Sequence, residues 1–159
     1  MNRRRFAAAL AGLFATYRMA SAADPKTPGA VEKLKLSDEE WKKRLPPEAY
    51  AVLRHEATER AGSSPLNGEH RKGVFVCAGC DLPLFNSEAK YESGTGWPSF
   101  FTFIPGHIEM KSDFLMIIPR TEYHCARCEG HQGHVFDDGP KPTGKRYCNN
   151  GVALKFIPA

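Results

Sequence analysis

Short apolar or alternating runs recur between turn residues from Gly73 to the end of the chain. They fall at residues 74–77, 99–103, 107–111, 114–118, 123–125, 133–136, 146–148 and 152–157. Runs of that length and spacing predict antiparallel strands. The pattern before Gly73 is different. Ser37-Asp38-Glu39-Glu40 is a capping box ahead of Trp41, so a short helix starts there and stops before Pro46-Pro47. Pro47 suits the first turn of a second helix, with Tyr50, Leu53 and Ala57 on one face. Residues 62–68 read as loop. The expected fold is mainly β (α+β): two small antiparallel sheets with N-terminal helices.

The first 23 residues carry another pattern. Met1-Asn2-Arg3-Arg4-Arg5 is a basic start, residues 6–17 are a short Ala-rich apolar run, and Ala20-Ser21-Ala22 is a small-residue cleavage site. That order predicts a signal peptide over 1–23. Asn2-Arg3-Arg4-Arg5-Phe6 also resembles a twin-arginine export signal. The apolar run is too short for a membrane span, so no stable membrane insertion is expected after cleavage. Residues 24–35, rich in Pro and Lys, read as a polar linker, and the domain occupies 36–159. The expected location is a bacterial periplasm.

Charge changes the picture once the leader is set apart. The chain carries 22 basic and 18 acidic side chains, a net charge of +4. Arg3, Arg4, Arg5 and Arg18 lie in the leader, which has no acidic residue. The remaining domain is balanced and has no basic field to draw it to nucleic acid.

Four of the five cysteines form two CxxC turns, Cys77/Cys80 and Cys125/Cys128, separated by 44 residues. Each turn can offer two thiolates to one ion, and two turns can close a tetrahedral site of the kind that holds one structural Zn²⁺ per chain. An exported protein can instead make two disulfides, and a single CxxC can be a redox pair. The doubled spacing favours zinc. Four thiolates leave the metal closed, which argues against a zinc hydrolase. Cys148, in Arg146-Tyr147-Cys148-Asn149-Asn150, is left over. On a strand Arg146 shares its face and can favour its thiolate. His131 and His134 follow the second turn, in a glycine-bearing stretch. Residues 94–100 (Gly-Thr-Gly-Trp-Pro-Ser-Phe) form a rigid aromatic loop, in which Trp97 reads equally as core or as site.

Taken in order, CxxC at 77–80, SGTGWPSF at 93–100, CxxC at 125–128, HQGHVFDDGP at 131–140, PTGKRYCNN at 142–150 and ALKF at 153–156 resemble the type B methionine sulfoxide reductases over roughly residues 36–157. The resemblance implies thiol-dependent reduction of the R epimer of methionine sulfoxide, in proteins or peptides or free. It implies Cys148 as nucleophile and Cys77, Cys80, Cys125 and Cys128 as zinc ligands. His131 and His134 would orient the sulfoxide oxygen and supply a proton, and Asn150 would hold the substrate. Arg146 and Asp138 would tune the thiol, and Trp97 and Phe136 would receive the methyl group. Thr95 stands where many members of that family have a resolving cysteine, and Asn149 and Gly151 replace residues often found beside the nucleophile. A sulfenic acid on Cys148 is therefore expected to be cleared by an external thiol, either a thioredoxin-like protein or a small thiol. The rival reading is a zinc-stapled β-module that binds a peptide or protein without chemistry, which needs the paired cysteines but not Cys148, His131, His134 and Asn150 together.

Overall fold

The computed structural model describes residues 31–114 and 119–159. The expected signal peptide at 1–23, residues 24–30 of the expected linker, and positions 115–118 of the expected strand at 114–118 lie outside them. Within the linker's described end, Lys33 pairs with Glu109 at 2.8 Å and Leu34 N donates to Arg127 O at 2.7 Å.

The capping box forms as the sequence predicts. Helix α1 (Asp38–Arg44) has Ser37 Oγ accepting from Glu40 N at 3.3 Å, while Ser37 N donates to the Glu40 carboxylate at 2.8 Å. Acidic residues fill its first turn and basic ones its last, which complements the helix dipole. Helix α2 (Pro47–His55) starts on its proline. Its buried face is Ala49, Val52 and Leu53, one residue round from the expected Tyr50, Leu53 and Ala57. Tyr50 keeps its hydroxyl outside, on Asp38. Ala57 lies beyond the helix, which ends where Glu56 takes a left-handed conformation (φ 57°).

Nine strands follow among the described residues: β1 (Gly73–Cys77), β2 (Pro83–Asn86), β3 (Lys90–Tyr91), β4 (Ser99–Phe100), β5 (Ile108–Asp113), β6 (Arg120–Cys125), β7 (His131–Phe136), β8 (Arg146–Asn149) and β9 (Leu154–Pro158). They make a three-stranded sheet in the order β2-β1-β9 and a six-stranded sheet in the order β3-β4-β8-β7-β6-β5, antiparallel throughout. The two-sheet, mainly β expectation is met. Strands β2 and β3 were not expected. β2 opens on a proline and buries Leu84 and Phe85 side by side, so it shows no alternation. β3 is two residues long and exists only by pairing with β4. The run at 99–103 is a strand only for its first two residues.

The core is an aromatic layer between the sheets. Phe85 stacks on Phe100 with centroids 4.0 Å apart, and Phe75 meets Phe100 edge-on at 5.0 Å. Tyr123 and Tyr147 complete the layer at 5.6 Å. Phe75, Phe85, Phe100 and Tyr123 are fully buried, and such pairs add about 0.5–1.5 kcal/mol each beyond area burial.

The register of the large sheet positions the chemistry. Lys111 faces Glu122, Glu122 faces His134, His134 faces Cys148, Cys148 faces Ser99 and Ser99 faces Tyr91. Directly opposed residues share one face of a sheet. One polar row therefore crosses all six strands, with Cys148 near its middle.

Candidate active site

The two CxxC turns are built alike. In the first, Asp81 N donates to Cys77 O at 2.9 Å and Cys77 N to Leu82 O at 2.9 Å. In the second, Glu129 N donates to Cys125 O at 2.9 Å and Cys125 N to Gly130 O at 3.0 Å. Asp81 and Glu129 each turn the chain with φ 59°. The turns face each other and bring the four sulfurs within 4.8 Å of one another, all buried. Cys77 and Cys128 sulfurs are 3.6 Å apart, and those of Cys80 and Cys125 are 3.4 Å apart. A disulfide needs about 2.05 Å, so these thiols are free. A tetrahedron with metal–sulfur bonds of about 2.3 Å has edges of roughly 3.8 Å, which the cluster fits. Gln132 Nε2 donates to Cys77 Sγ at 3.4 Å, giving the cage a partner outside its own turns.

Cys148 stands apart from this cluster and is half-buried. It lines a cleft of about 130 Å³ with Trp97, His134, Phe136 and Asn150, and with Thr58 and Arg120. Trp97, left open between core and site, is a wall of the cleft. Its indole Nε1 donates to Glu59 O at 3.2 Å. Gly133 lies beneath: a Cβ there would sit 1.9 Å from Cys148 O, so only glycine lets strands β7 and β8 approach this closely.

Arg146 and Asp138 lie behind the thiol. Arg146 grips both Asp138 carboxylate oxygens at 2.8 Å and stacks 4.2 Å over the Phe136 ring. Burial pushes the Cys148 thiol above its ordinary value, while the charge of Arg146 and hydrogen bonds from Thr95 and Arg146 pull against that rise. Thr95 is thus among the groups that favour the thiolate. Its hydroxyl bonds Ser93 Oγ at 2.8 Å, and Ser93 Oγ bonds Ser99 Oγ at 2.8 Å.

The two imidazoles reach one face through a bulge. Tyr123 pairs with Gly133 but His124 with His131, leaving Gln132 as an extra residue. The His131 and His134 rings then meet edge-on at 5.4 Å, while Gln132 turns to the cysteine cage. Their surroundings differ. His134 Nε2 lies 2.9 Å from Asp113 Oδ2, which also accepts from Arg120 at 2.7 Å. Burial holds His134 below its ordinary pKa, with Asp113 opposing that effect and Arg120 and His131 adding to it. His131 is 2% exposed and does not line the cleft. Its Nδ1 lies 2.8 Å from Glu122 Oε1, and its Nε2 is buried without a hydrogen-bond partner.

Asn150 is held at both ends: Oδ1 accepts from Glu59 N at 3.0 Å and Nδ2 donates to Gln132 O at 3.0 Å. Glu59, which the sequence reading missed, is the hub of this corner. Its carboxylate accepts from Gly151 N at 2.6 Å and Val152 N at 2.9 Å, and its own carbonyl holds Trp97. Glu122, Asp113, Arg120 and the influence of Thr95 on Cys148 were also missed. Asp113 and Glu122 fall just outside the runs at 107–111, 114–118 and 123–125, so the apolar pattern carried no signal for either.

The SelR domain family matches residues 45–158. The chain is 49% identical over 136 residues to "Peptide methionine sulfoxide reductase MsrB" of Bradyrhizobium diazoefficiens, covering 85% of this chain and 98% of that one. It is 53% identical over 128 residues to the protein of the same name from Methanosarcina barkeri, covering 80% and 88%. It is 46% identical over 147 residues to "Peptide methionine sulfoxide reductase B1, chloroplastic" of Arabidopsis thaliana, covering 88% and 73%. With a paired-cysteine cage, a separate cleft thiol and matches over most of both chains, the protein belongs to the SelR-domain family, among its MsrB members.

Proposed function

We propose that this protein reduces methionine sulfoxide to methionine, acting on the R epimer in proteins or peptides. The observation that carries this reading is one thiol, Cys148, in a cleft walled by Trp97 and Phe136 and flanked by an imidazole, apart from four cage thiols. The Cys148 thiolate attacks the electrophilic sulfur. A proton from an imidazole goes to the sulfoxide oxygen, which passes to Cys148. The products are Cys148 sulfenic acid and the thioether: the thiolate is oxidised by two electrons and the sulfoxide reduced by two. One external thiol then forms a mixed disulfide and releases water, and a second thiol restores Cys148. The aromatic walls suit an S-methyl group, since sulfur–aromatic contacts contribute about 0.3–1.5 kcal/mol.

Thr95 leaves the cleft with a hydroxyl rather than a second thiol beside Cys148. The reductant is therefore external, a thioredoxin-like protein or a small thiol. Cys77, Cys80, Cys125 and Cys128 hold a structural Zn²⁺, which supplies rigidity and no open coordination position. Export by residues 1–23 to a bacterial periplasm belongs to the same reading.

The test separates the two epimers of a methionine sulfoxide peptide and follows each with dithiothreitol. Consumption of the R epimer alone is expected, and Cys148→Ser is expected to abolish turnover while keeping zinc. Mass spectrometry after one substrate equivalent should find a sulfenic or mixed-thiol adduct on Cys148. Unchanged turnover in Cys148→Ser leaves only a binding scaffold, and an internal disulfide to Cys148 overturns the external-thiol route.

A further inference from the structure

Glu59 does not line the thiol cleft, yet four hydrogen bonds run from it to the cleft's frame. It is 4% exposed and follows Thr58, which does line the cleft. Its N–H donates to Asn150 Oδ1 at 3.0 Å, and its carbonyl accepts from Trp97 Nε1 at 3.2 Å. Its two carboxylate oxygens accept from Gly151 N at 2.6 Å and Val152 N at 2.9 Å. One residue's main chain thus holds both the indole wall and the Asn150 amide. Its side chain is fastened to the two residues that follow that amide.

A main-chain N–H only donates and a main-chain carbonyl only accepts. Asn150 therefore has one amide orientation, with Oδ1 on Glu59 N and Nδ2 on Gln132 O at 3.0 Å. The Trp97 ring is pinned at its nitrogen edge in the same way. Neighbouring bonds tighten the clasp. Gly62 N donates to Gly96 O at 2.7 Å and Asn67 Nδ2 to the same oxygen at 3.0 Å, so residues 59–67 hold the Trp97 loop at two consecutive positions. Gly151 lets Glu59 close on its N–H: a Cβ there would sit 1.9 Å from Ser64 Oγ and 3.2 Å from Glu59 Oε1. The cleft these residues frame is small, about 130 Å³.

We propose that Glu59 is a positioning residue that sets which sulfoxides the cleft accepts: its carboxylate locks Trp97 and Asn150 against the end of β8, so that the cleft admits an S-methyl group and excludes a larger one. This role rests on the sulfoxide-reduction reading and deepens it. Glu59 acts only through Trp97 and Asn150. A packed wall discriminates by size only while it cannot yield. One methylene too many in an apolar pocket costs about 10- to 200-fold in kcat/KM. A ring free to swing gives up that discrimination, because the displaced wall makes room for the extra carbon.

The probe is a pair of peptides, one carrying methionine sulfoxide and the other ethionine sulfoxide, both as the R epimer. The wild-type protein is expected to favour the S-methyl peptide by about 10- to 200-fold in kcat/KM. Glu59→Gln keeps the size of the side chain but offers one acceptor oxygen to two N–H donors. It is expected to lower kcat/KM for the S-methyl peptide about 10- to 100-fold, with most of the loss in KM. The preference for that peptide should narrow by about tenfold, while zinc content and the alkylation rate of Cys148 stay unchanged. A misfolded fraction would lower both peptides alike and leave their ratio where it was. In Trp97→Phe, which has no indole N–H for the Glu59 carbonyl, adding Glu59→Gln should narrow the ratio much less than it does in the wild-type protein. A wild-type protein without preference, an unaltered ratio in Glu59→Gln, or equal narrowing in both backgrounds overturns the assignment. A second measurement needs no variant. The Trp97 indole N–H of the wild-type protein is expected to exchange with deuterium more slowly than a free indole, and exchange at the free rate overturns the clasp. Failure of the wild-type protein to reduce any sulfoxide would instead count against the proposed function, and leaves the exchange measurement standing.

Discussion

Cys148 is pulled in opposite directions by its neighbours, and the balance sets how much of it is thiolate. Burial raises the thiol above its ordinary value of 9.0, and Asp138 adds to the rise. The charge of Arg146 is the largest opposing influence, followed by hydrogen bonds from Thr95 and Arg146. The nucleophile is the thiolate, so reactivity grows as pH rises toward the raised value. The pH midpoint for alkylation of Cys148, with zinc bound to protect the cage, is expected above that of a free cysteine. Arg146→Met removes the main opposing charge and leaves Asp138 without its partner. Its midpoint should move further up, and alkylation at neutral pH should slow by about an order of magnitude or more. Thr95→Val should move it in the same direction by less. A midpoint unmoved in Arg146→Met would mean that the guanidinium serves Asp138 and Phe136 only. Arg146 and Cys148 were legible together because two residues on one strand share a face. Thr95 was legible as a departure from a motif but not as an influence on Cys148, since the two are linked only through a loop and the pairing of β4 with β8.

At the scale of elements, the two CxxC turns repeat one hydrogen-bond scheme, and each closes on a left-handed residue that carries a side chain. Such a conformation costs a non-glycine residue about 1–2 kcal/mol. A cation held by the four buried sulfurs would tie the two turns to each other. Structural zinc contributes roughly 10–16 kcal/mol of apparent binding free energy in small sites, comparable with or above the 5–15 kcal/mol that stabilises a typical domain. Stripping the metal with a strong chelator at neutral pH is therefore expected to collapse the fold, with loss of circular dichroism in step with about one zinc released per chain. A chelated protein that kept its melting temperature would remove the metal from the account of stability. The turns were legible because their chemistry is local. The bulge at Gln132 was not. Read as a regular strand, residues 131 and 134 point to opposite faces, and only the shifted register against β6 brings the rings within 5.4 Å.

At the scale of the whole molecule, the long-range contacts tie cage, core and cleft into one cooperative unit. Gln132 bonds a cage sulfur and, through Asn149 at 3.4 Å, the residue next to the nucleophile. Asn149 in turn accepts from Tyr123 in the aromatic layer at 2.7 Å. Glu59 joins the loop after α2 to the end of β8 across more than ninety positions of sequence. None of these partners follows from spacing or periodicity, which is why the cleft's chemistry was readable and its supports were not. The same connectedness bears on export. A chain threaded unfolded into an oxidising compartment exposes five cysteines before Gln132, the turns and the sheets can shield four of them, and mispaired disulfides compete with metal loading. A chain that folds first crosses with those thiolates already ligated, which is the route that Arg3-Arg4-Arg5 at the start of the leader would select. Replacing residues 1–23 with a general secretory signal is then expected to deliver protein with clearly less than one zinc per chain and with non-native disulfides, measured by metal analysis and by thiol titration of the periplasmic fraction. Full zinc loading and five titratable thiols after that exchange would show that the cage assembles fast enough on the far side, and folding before export would lose its physical reason.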